Sequence, residues 1–163
     1  MYKRLKSFFE INGLFYESQY GFREKHSTQH ALIDIVNRFQ NNMDNGMFFT
    51  GVFIDLKKAF DTVDHEILLD KLYRYGIWGI TLEWFSSYLK GRSQVTQIDE
   101  HVSPIKELNP CGVPQGSVLG PLLFFIYIND IHKSCDKLNF FLFCGRHHYP
   151  ICSQKFKSTW TSS

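Results

Sequence analysis

The sequence has almost no net charge: 18 Lys and Arg against 16 Asp and Glu leave +2 at neutral pH. So weak a global field excludes reading a polyanion partner from charge alone. Cysteine is sparse, and Cys111, Cys135, Cys144 and Cys152 form no Cys-x-x-Cys pair. That excludes a disulfide-stapled mini-protein and makes reduced thiols the expectation. No long hydrophobic run is present. The longest, Val118 to Ile128, is interrupted by Gly120 and Pro121 and falls short of the ~20 residues that cross a bilayer. Met1 to Glu10 is basic and amphipathic, without the apolar segment and small-residue cleavage site of a secretory signal. There is no internal repeat and no low-complexity linker. The expectation is an intracellular domain, cytoplasmic or nuclear, with no membrane partner.

What is present supports a packed core. The 163 residues amount to one ordinary domain, with 44% hydrophobic and 21% charged residues. Aromatic content is high at 17%, including 16 Phe and 8 Tyr.

Ser27 to Asp44 reads as a helix capped by Ser27, with Leu32, Ile35 or Val36, Phe39 and Met43 on one face. Asn45-Gly46 is a turn, and Met47 to Leu56, rich in Phe and β-branched residues, reads as a central strand buried on both faces. Asp64 is placed to cap a helix carrying Leu68, Leu72 and Tyr75, stopped by Gly76. Thr81 to Lys90 reads as a second short helix with Phe85, Tyr88 and Leu89 inward. Arg92 to Asn109 reads as two short strands around the turn Asp99-Glu100-His101. Pro110 to Gly116 is a Gly/Pro loop, and Leu119 to Ile131 a buried helix with Pro121 in its first turn. Helices mixed with hairpins indicate an α+β fold.

Two places carry possible chemistry. Asp55 ends a hydrophobic strand, and with Asp61 and Asp64 forms an acidic cluster. Carboxylates at a strand end can hold a hard cation such as Mg²⁺; they can equally cap helices or face solvent. In the loop Gly112-Val113-Pro114-Gln115-Gly116-Ser117, the glycines allow close backbone approach to a ligand and Gln115 offers an amide. Ordinary turn chemistry before a helix explains the same residues.

Several of these segments together resemble one family. Gln19-Tyr20-Gly21-Phe22-Arg23 followed by Ser27-Thr28 resembles a block of reverse transcriptases from non-LTR (LINE-type) retrotransposons. Phe53-Ile54-Asp55-Leu56-Lys57-Lys58-Ala59-Phe60-Asp61-Thr62-Val63-Asp64-His65 resembles that family's motif A. Gly112 to Phe124 (GVPQGSVLGPLLF), running into Tyr127-Ile128-Asn129-Asp130, resembles motif B, and Arg92-Ser93-Gln94-Val95 fits the segment between them. The resemblance covers residues 1–143 and implies a partial fingers and palm with an incomplete palm sheet.

It further implies an RNA-directed DNA polymerase, working on an RNA template and DNA primer with dNTPs and two Mg²⁺ ions. Asp55 then stands where motif A's metal-binding catalytic Asp belongs, with the Leu56 carbonyl as a backbone ligand. Phe60 takes the aromatic gate position that excludes a 2′-hydroxyl. Gln115 and Gly116 line the incoming dNTP. Arg23 is structural or template-facing, and Arg92 and Gln94 fit the motif without an assigned contact.

The family's motif C, an adjacent Asp-Asp after a hydrophobic strand, is missing. Leu138 to Phe143 supplies the strand, but Cys144-Gly145-Arg146-His147-His148-Tyr149-Pro150-Ile151 follows it, and no Asp or Glu occurs after Asp136. Those eight residues can be encoded TGC GGA CGA CAC CAC TAT CCT ATA, and omitting the first T yields Ala-Asp-Asp-Thr-Thr-Ile-Leu. Residues 144–163 are therefore expected to be an out-of-frame, disordered tail, and the chain an inactive fragment lacking earlier fingers and the thumb. Cys144, His147, His148 and Cys152 have zinc-ligand types, but a frameshifted tail has had no reason to acquire a site. The alternative function is a non-catalytic RNA-binding or interaction module, using Lys3, Arg4, Lys6, Arg23, Lys25, Arg92 and the aromatics. A solvated face over core aromatics explains these residues as well.

Overall fold

The computed structural model describes residues 1–142 except Phe22, Glu24, Lys25, Phe49, Asp55, Lys57, Asn109 and Lys137. The expectations for Asp55, for the tail 144–163 and for Cys144, His147, His148 and Cys152 fall outside the described residues. Helices combine with small antiparallel sheets in a mixed α+β arrangement. The chain divides into two compact units, one of residues 1–4 and 58–127, the other of 5–57 and from 128 onward.

The first unit holds the motif A-like block from Lys58 onward and the motif B-like block from Gly112 to Phe124. A short 3-10 turn, Ala59–Thr62, leads into α3, His65–Arg74. Asp64 has the extended backbone of an N-cap, and its Oδ1 accepts the Ile67 N–H at 3.0 Å, satisfying a donor that the helix start leaves orphaned. Leu68 and Leu72 are fully buried. The next helix, α4, spans Gly79–Leu89 and begins two residues before the expected Thr81. Its cap, Trp78, makes no side-chain capping bond, so this start carries no capping signature. Phe85 and Leu89 are buried as expected, and Tyr88 is half-buried.

The expected hairpin over 92–109 is present but interrupted. β1 (Ser93–Gln94) pairs antiparallel with β4 (Lys106–Glu107), and β2 (Gln97–Ile98) with β3 (His101–Val102). Between the pairs, Thr96 and Ser103 still exchange hydrogen bonds, with Ser103 N–H on Thr96 O and Thr96 N–H on Ser103 Oγ. Pro104 follows, and with no N–H to donate it interrupts the ladder. The turn is Asp99-Glu100 rather than three residues, because His101 already belongs to β3, and Asp99 takes the left-handed φ of 53°. α5, Leu119–Ile128, is apolar on every side, with Leu122, Leu123, Phe124, Phe125 and Ile126 all buried, as a core helix must be.

The second unit takes α1 (Tyr2–Ile11) from Leu5 onward; Leu5 and Phe9 are buried, and the Phe9 and Phe15 rings lie 5.1 Å apart. The buried Asn129 clamps the chain after α1: its Oδ1 accepts the Tyr16 N–H at 2.9 Å and its Nδ2 donates to Leu14 O at 2.7 Å. α2, Thr28–Asp44, is capped as expected, with Ser27 Oγ accepting the His30 N–H at 3.2 Å. Its inward face differs from the expected one. Ala31, Ile35 and Asn42 are buried, while Leu32, Val36 and Met43 are exposed. The buried Asn42 satisfies its amide on Arg38 O at 2.7 Å, which lets a polar residue occupy the inner face.

Two expected strands are corrected. The described residues of Met47 to Leu56 form no strand and are not a buried core: Phe48 is 78% and Phe53 63% exposed, and Val52, Ile54 and Leu56 are exposed too. β-propensity needs a neighbouring strand to take up the backbone groups, and among the described residues none pairs here. Among the described residues of Leu138 to Phe143, which end at Leu142, there is only a bridge: Leu142 pairs in parallel with Gln19, through Tyr20 N–H on Leu142 O and Leu142 N–H on Ser18 O. Phe140, Phe141 and Leu142 are buried. Among the described residues no helix is long and apolar enough to cross a membrane.

Candidate functional site

The site is built where the segment after Lys58 meets the Gly/Pro loop. Gly112 N–H donates to Val63 O at 2.7 Å and Val113 N–H to Phe60 O at 2.8 Å. Asp64 and Cys111 form an isolated antiparallel bridge beside them. Gly112 has φ +87°, and a Cβ there would lie 2.9 Å from Asp61 Cα and 3.0 Å from Asp61 O. The obstruction is backbone, so only glycine allows the two segments to approach this closely.

Side chains reinforce the junction. Gln115 Nε2 donates to Asp61 Oδ1 at 2.7 Å. His65, buried at 3% exposure, places Nε2 2.7 Å from Gly112 O. The carbonyl can only accept, so Nε2 carries the hydrogen. His65 Nδ1 has no partner among the described residues. Arg92 completes the ring of contacts, with Nε on Leu89 O at 3.1 Å and Nη2 on Gly112 O at 3.3 Å. The turn then runs into α5, where Ser117 Oγ donates to Pro114 O at 2.7 Å and accepts the Gly120 N–H at 2.9 Å.

The structure thus brings Phe60, Asp61 and Gln115 to one junction. Phe60 is half-buried, its ring 5.0 Å from that of Phe124. Gly116 has φ +76° with open space where a Cβ would be. Leu56 belongs to the other unit and is exposed. Of the acidic cluster, Asp64 caps α3 and Asp61 holds Gln115. Among the described residues no group of three or more His, Cys, Asp or Glu is arranged to hold a metal ion. Arg23 has a structural position, with Nη1 donating to Tyr16 O at 3.1 Å and its guanidinium over the Phe15 ring. In the same loop the Tyr20 hydroxyl lies 2.6 Å from Asp34, and burial together with that carboxylate raises its pKa above the ordinary tyrosine value.

Sequence reasoning missed His65 as the residue that grips the loop and left Arg92 without a contact. The signal for His65 was its position directly after an N-cap, where its ring can reach backbone outside its own helix.

Residues 1–145 match the reverse transcriptase (RNA-dependent DNA polymerase) family, and the chain belongs to that family. It is 38% identical over 113 residues to the RNA-directed DNA polymerase from mobile element jockey of Drosophila melanogaster, covering 69% of this chain and 12% of that protein. It is 32% identical over 131 residues to the probable RNA-directed DNA polymerase from transposon X-element of the same species, covering 78% and 14%. A third fly relative, the probable RNA-directed DNA polymerase from transposon BS, is 34% identical over 118 residues, covering 71% and 12%. The chain therefore spans about an eighth of the length of the curated relatives it matches.

Proposed function

We propose that this chain carries the fingers and palm part, residues 1–143, of an RNA-directed DNA polymerase from a non-LTR retrotransposon. The observation that carries the reading is the junction itself, which joins Phe60 to Val113 and Asp61 to Gln115. The Phe60 backbone is thereby tied to the loop that carries Gln115, the aromatic and the amide that a site selecting an incoming dNTP would use. In this reading Phe60 excludes the 2′-hydroxyl, and Gln115 and Gly116 face base and sugar. The template is RNA and the primer DNA.

The family depends on divalent metal, and Asp55 with the Leu56 carbonyl is the proposed holding point for Mg²⁺. When bound, the ions supply charge neutralisation at the reacting phosphate. Two ions roughly 4 Å apart need more than one carboxylate, and this sequence has no Asp or Glu after Asp136. We therefore read residues 144–163 as out of frame and this chain as inactive.

The coding sequence across Phe143 to Ile151 tests the frame: the next frame should read Ala-Asp-Asp-Thr and remain open. Expressed with that frame restored and its downstream sequence included, the protein should extend an oligo(dT) primer on poly(rA). Incorporation should vanish in Asp55→Ala, and Phe60→Ala should admit ribonucleotides. The 163-residue chain should incorporate nothing above background. Failure of the restored protein to incorporate, or incorporation indifferent to Asp55→Ala, overturns the reading.

A further inference from the structure

α4 has the composition of a core helix but only one covered side. Over Gly79–Leu89 its single charged residue is Glu83, and a helix apolar all round belongs in a core. α5 is also apolar all round, and it is buried over Leu122 to Ile126. α4 buries Phe85 and Leu89, while Ile80, Trp84 and Tyr88, four residues apart, run along its other side. Ile80 is 85% exposed, Trp84 is exposed and Tyr88 is half-buried. The Trp84 and Tyr88 rings stack, 5.3 Å apart and 12° from parallel. Just before the helix, the exposed Trp78 is fixed by its indole N–H on Tyr73 O at 3.1 Å. Exposed aromatics already held in place mark an interaction surface, because they have little rotamer freedom left to lose on contact.

Charge decides what covers it. α4 carries no Lys or Arg, and the cations before and after it, Arg74 and Lys90, are paired with Asp70 and Glu66. Such a face suits neither a phosphate backbone nor an anionic lipid surface. A second copy would bring only another Glu83, with no cation to meet the first. The spacing of four makes the stripe a ridge against which another helix packs. In the matched relatives about seven eighths of the chain lies outside the matched stretch.

We infer that the Ile80, Trp84 and Tyr88 face of α4 docks an amphipathic helix from elsewhere in the same polymerase polypeptide, one that sets a Lys or Arg beside Glu83. The inference rests on this chain being part of such a longer polymerase. It does not depend on the dNTP site.

Photo-crosslinking tests it, in the frame-restored protein carrying its complete reading frame, with Ile80 replaced by p-benzoylphenylalanine and the adducts mapped by mass spectrometry. Position 80 should join one peptide of the same polypeptide outside residues 1–143, with a Lys or Arg within one helical turn of the joined residue. In Glu83→Lys the adduct should fall at least about fivefold, since a like charge then faces the docked cation. Trp84→Ala should lower it by roughly tenfold or more. Should Trp84→Ala lose its native circular dichroism, Glu83→Lys carries the test, because Glu83 is exposed. The same label at Ile98, exposed on the β2–β3 hairpin, should not yield that adduct. An adduct only with a second molecule, only with nucleic acid or only within residues 1–143 overturns the inference. So does no adduct in the folded protein, or an adduct indifferent to Glu83→Lys. A protein that forms the adduct but incorporates no dNTP overturns the polymerase activity alone and leaves the docking face standing.

Discussion

The segments 47–56 and 59–65 have opposite fates. From Ala59 to His65 the chain is held by a run of specific bonds: Phe60 O and Val63 O accept loop amides, Asp61 takes the Gln115 amide, Asp64 caps α3 and His65 grips Gly112 O. From Met47 to Leu56 the composition is more hydrophobic, yet Phe48, Val52, Phe53, Ile54 and Leu56 are exposed. Among the described residues there, the backbone bond of Met47 N–H to Asn42 O is the last before the turn at Ala59. The difference is partnership. A helix start or a turn satisfies itself with residues nearby in sequence or with one docked loop. An extended apolar segment is satisfied only when a neighbouring strand supplies donors and acceptors along its length. Residues 59–65 have the Gly/Pro loop; 47–56 have no such neighbour among the described residues.

Substitutions can break or sharpen that contrast. The largest effect should come from Gly112→Ala, which forces a Cβ against the Asp61 backbone at a φ that alanine rarely adopts. About 3 kcal/mol or more of stability should be lost, read by urea unfolding. His65→Leu keeps the bulk but removes the bond to Gly112 O, and should cost about 2 kcal/mol in the same assay. Asp64→Ala removes a single cap and should cost about 1 kcal/mol, with helix content otherwise retained. The smallest effect belongs to the other region. Phe53→Ser should change stability by less than about 0.5 kcal/mol while reducing light scattering in concentrated solution, since an exposed apolar patch favours association. A large loss of stability in Phe53→Ser would mean that the segment is packed, and would dissolve the comparison.

What was legible in the sequence follows the same division. Ser27 and Asp64 as caps, Leu68 and Leu72 as inward residues, and the all-round apolar α5 were readable because each depends on neighbours three or four positions away. The inward face of α2 was not, because that choice is made by what the helix packs on. Leu32 and Met43 are exposed, while Ala31 and the self-satisfied Asn42 go inside. The strand expected at 47–56 failed for a related reason: its composition reports what the segment would do beside another strand. At the site, Phe60, Gln115 and Gly116 were singled out by the resemblance to the reverse transcriptase family. The hold of His65 on Gly112 O spans 47 positions in sequence, a pairing that no local pattern encodes.

Amide hydrogen exchange, resolved by residue, tests the contrast most directly. The Gly112 and Val113 amides, bonded to Val63 O and Phe60 O, should exchange orders of magnitude more slowly than those of Val52, Phe53 and Ile54, which should exchange at nearly the unprotected rate. Protection of the Val52 to Ile54 amides equal to that of Gly112 and Val113 would show a paired strand at 47–56 and contradict the account.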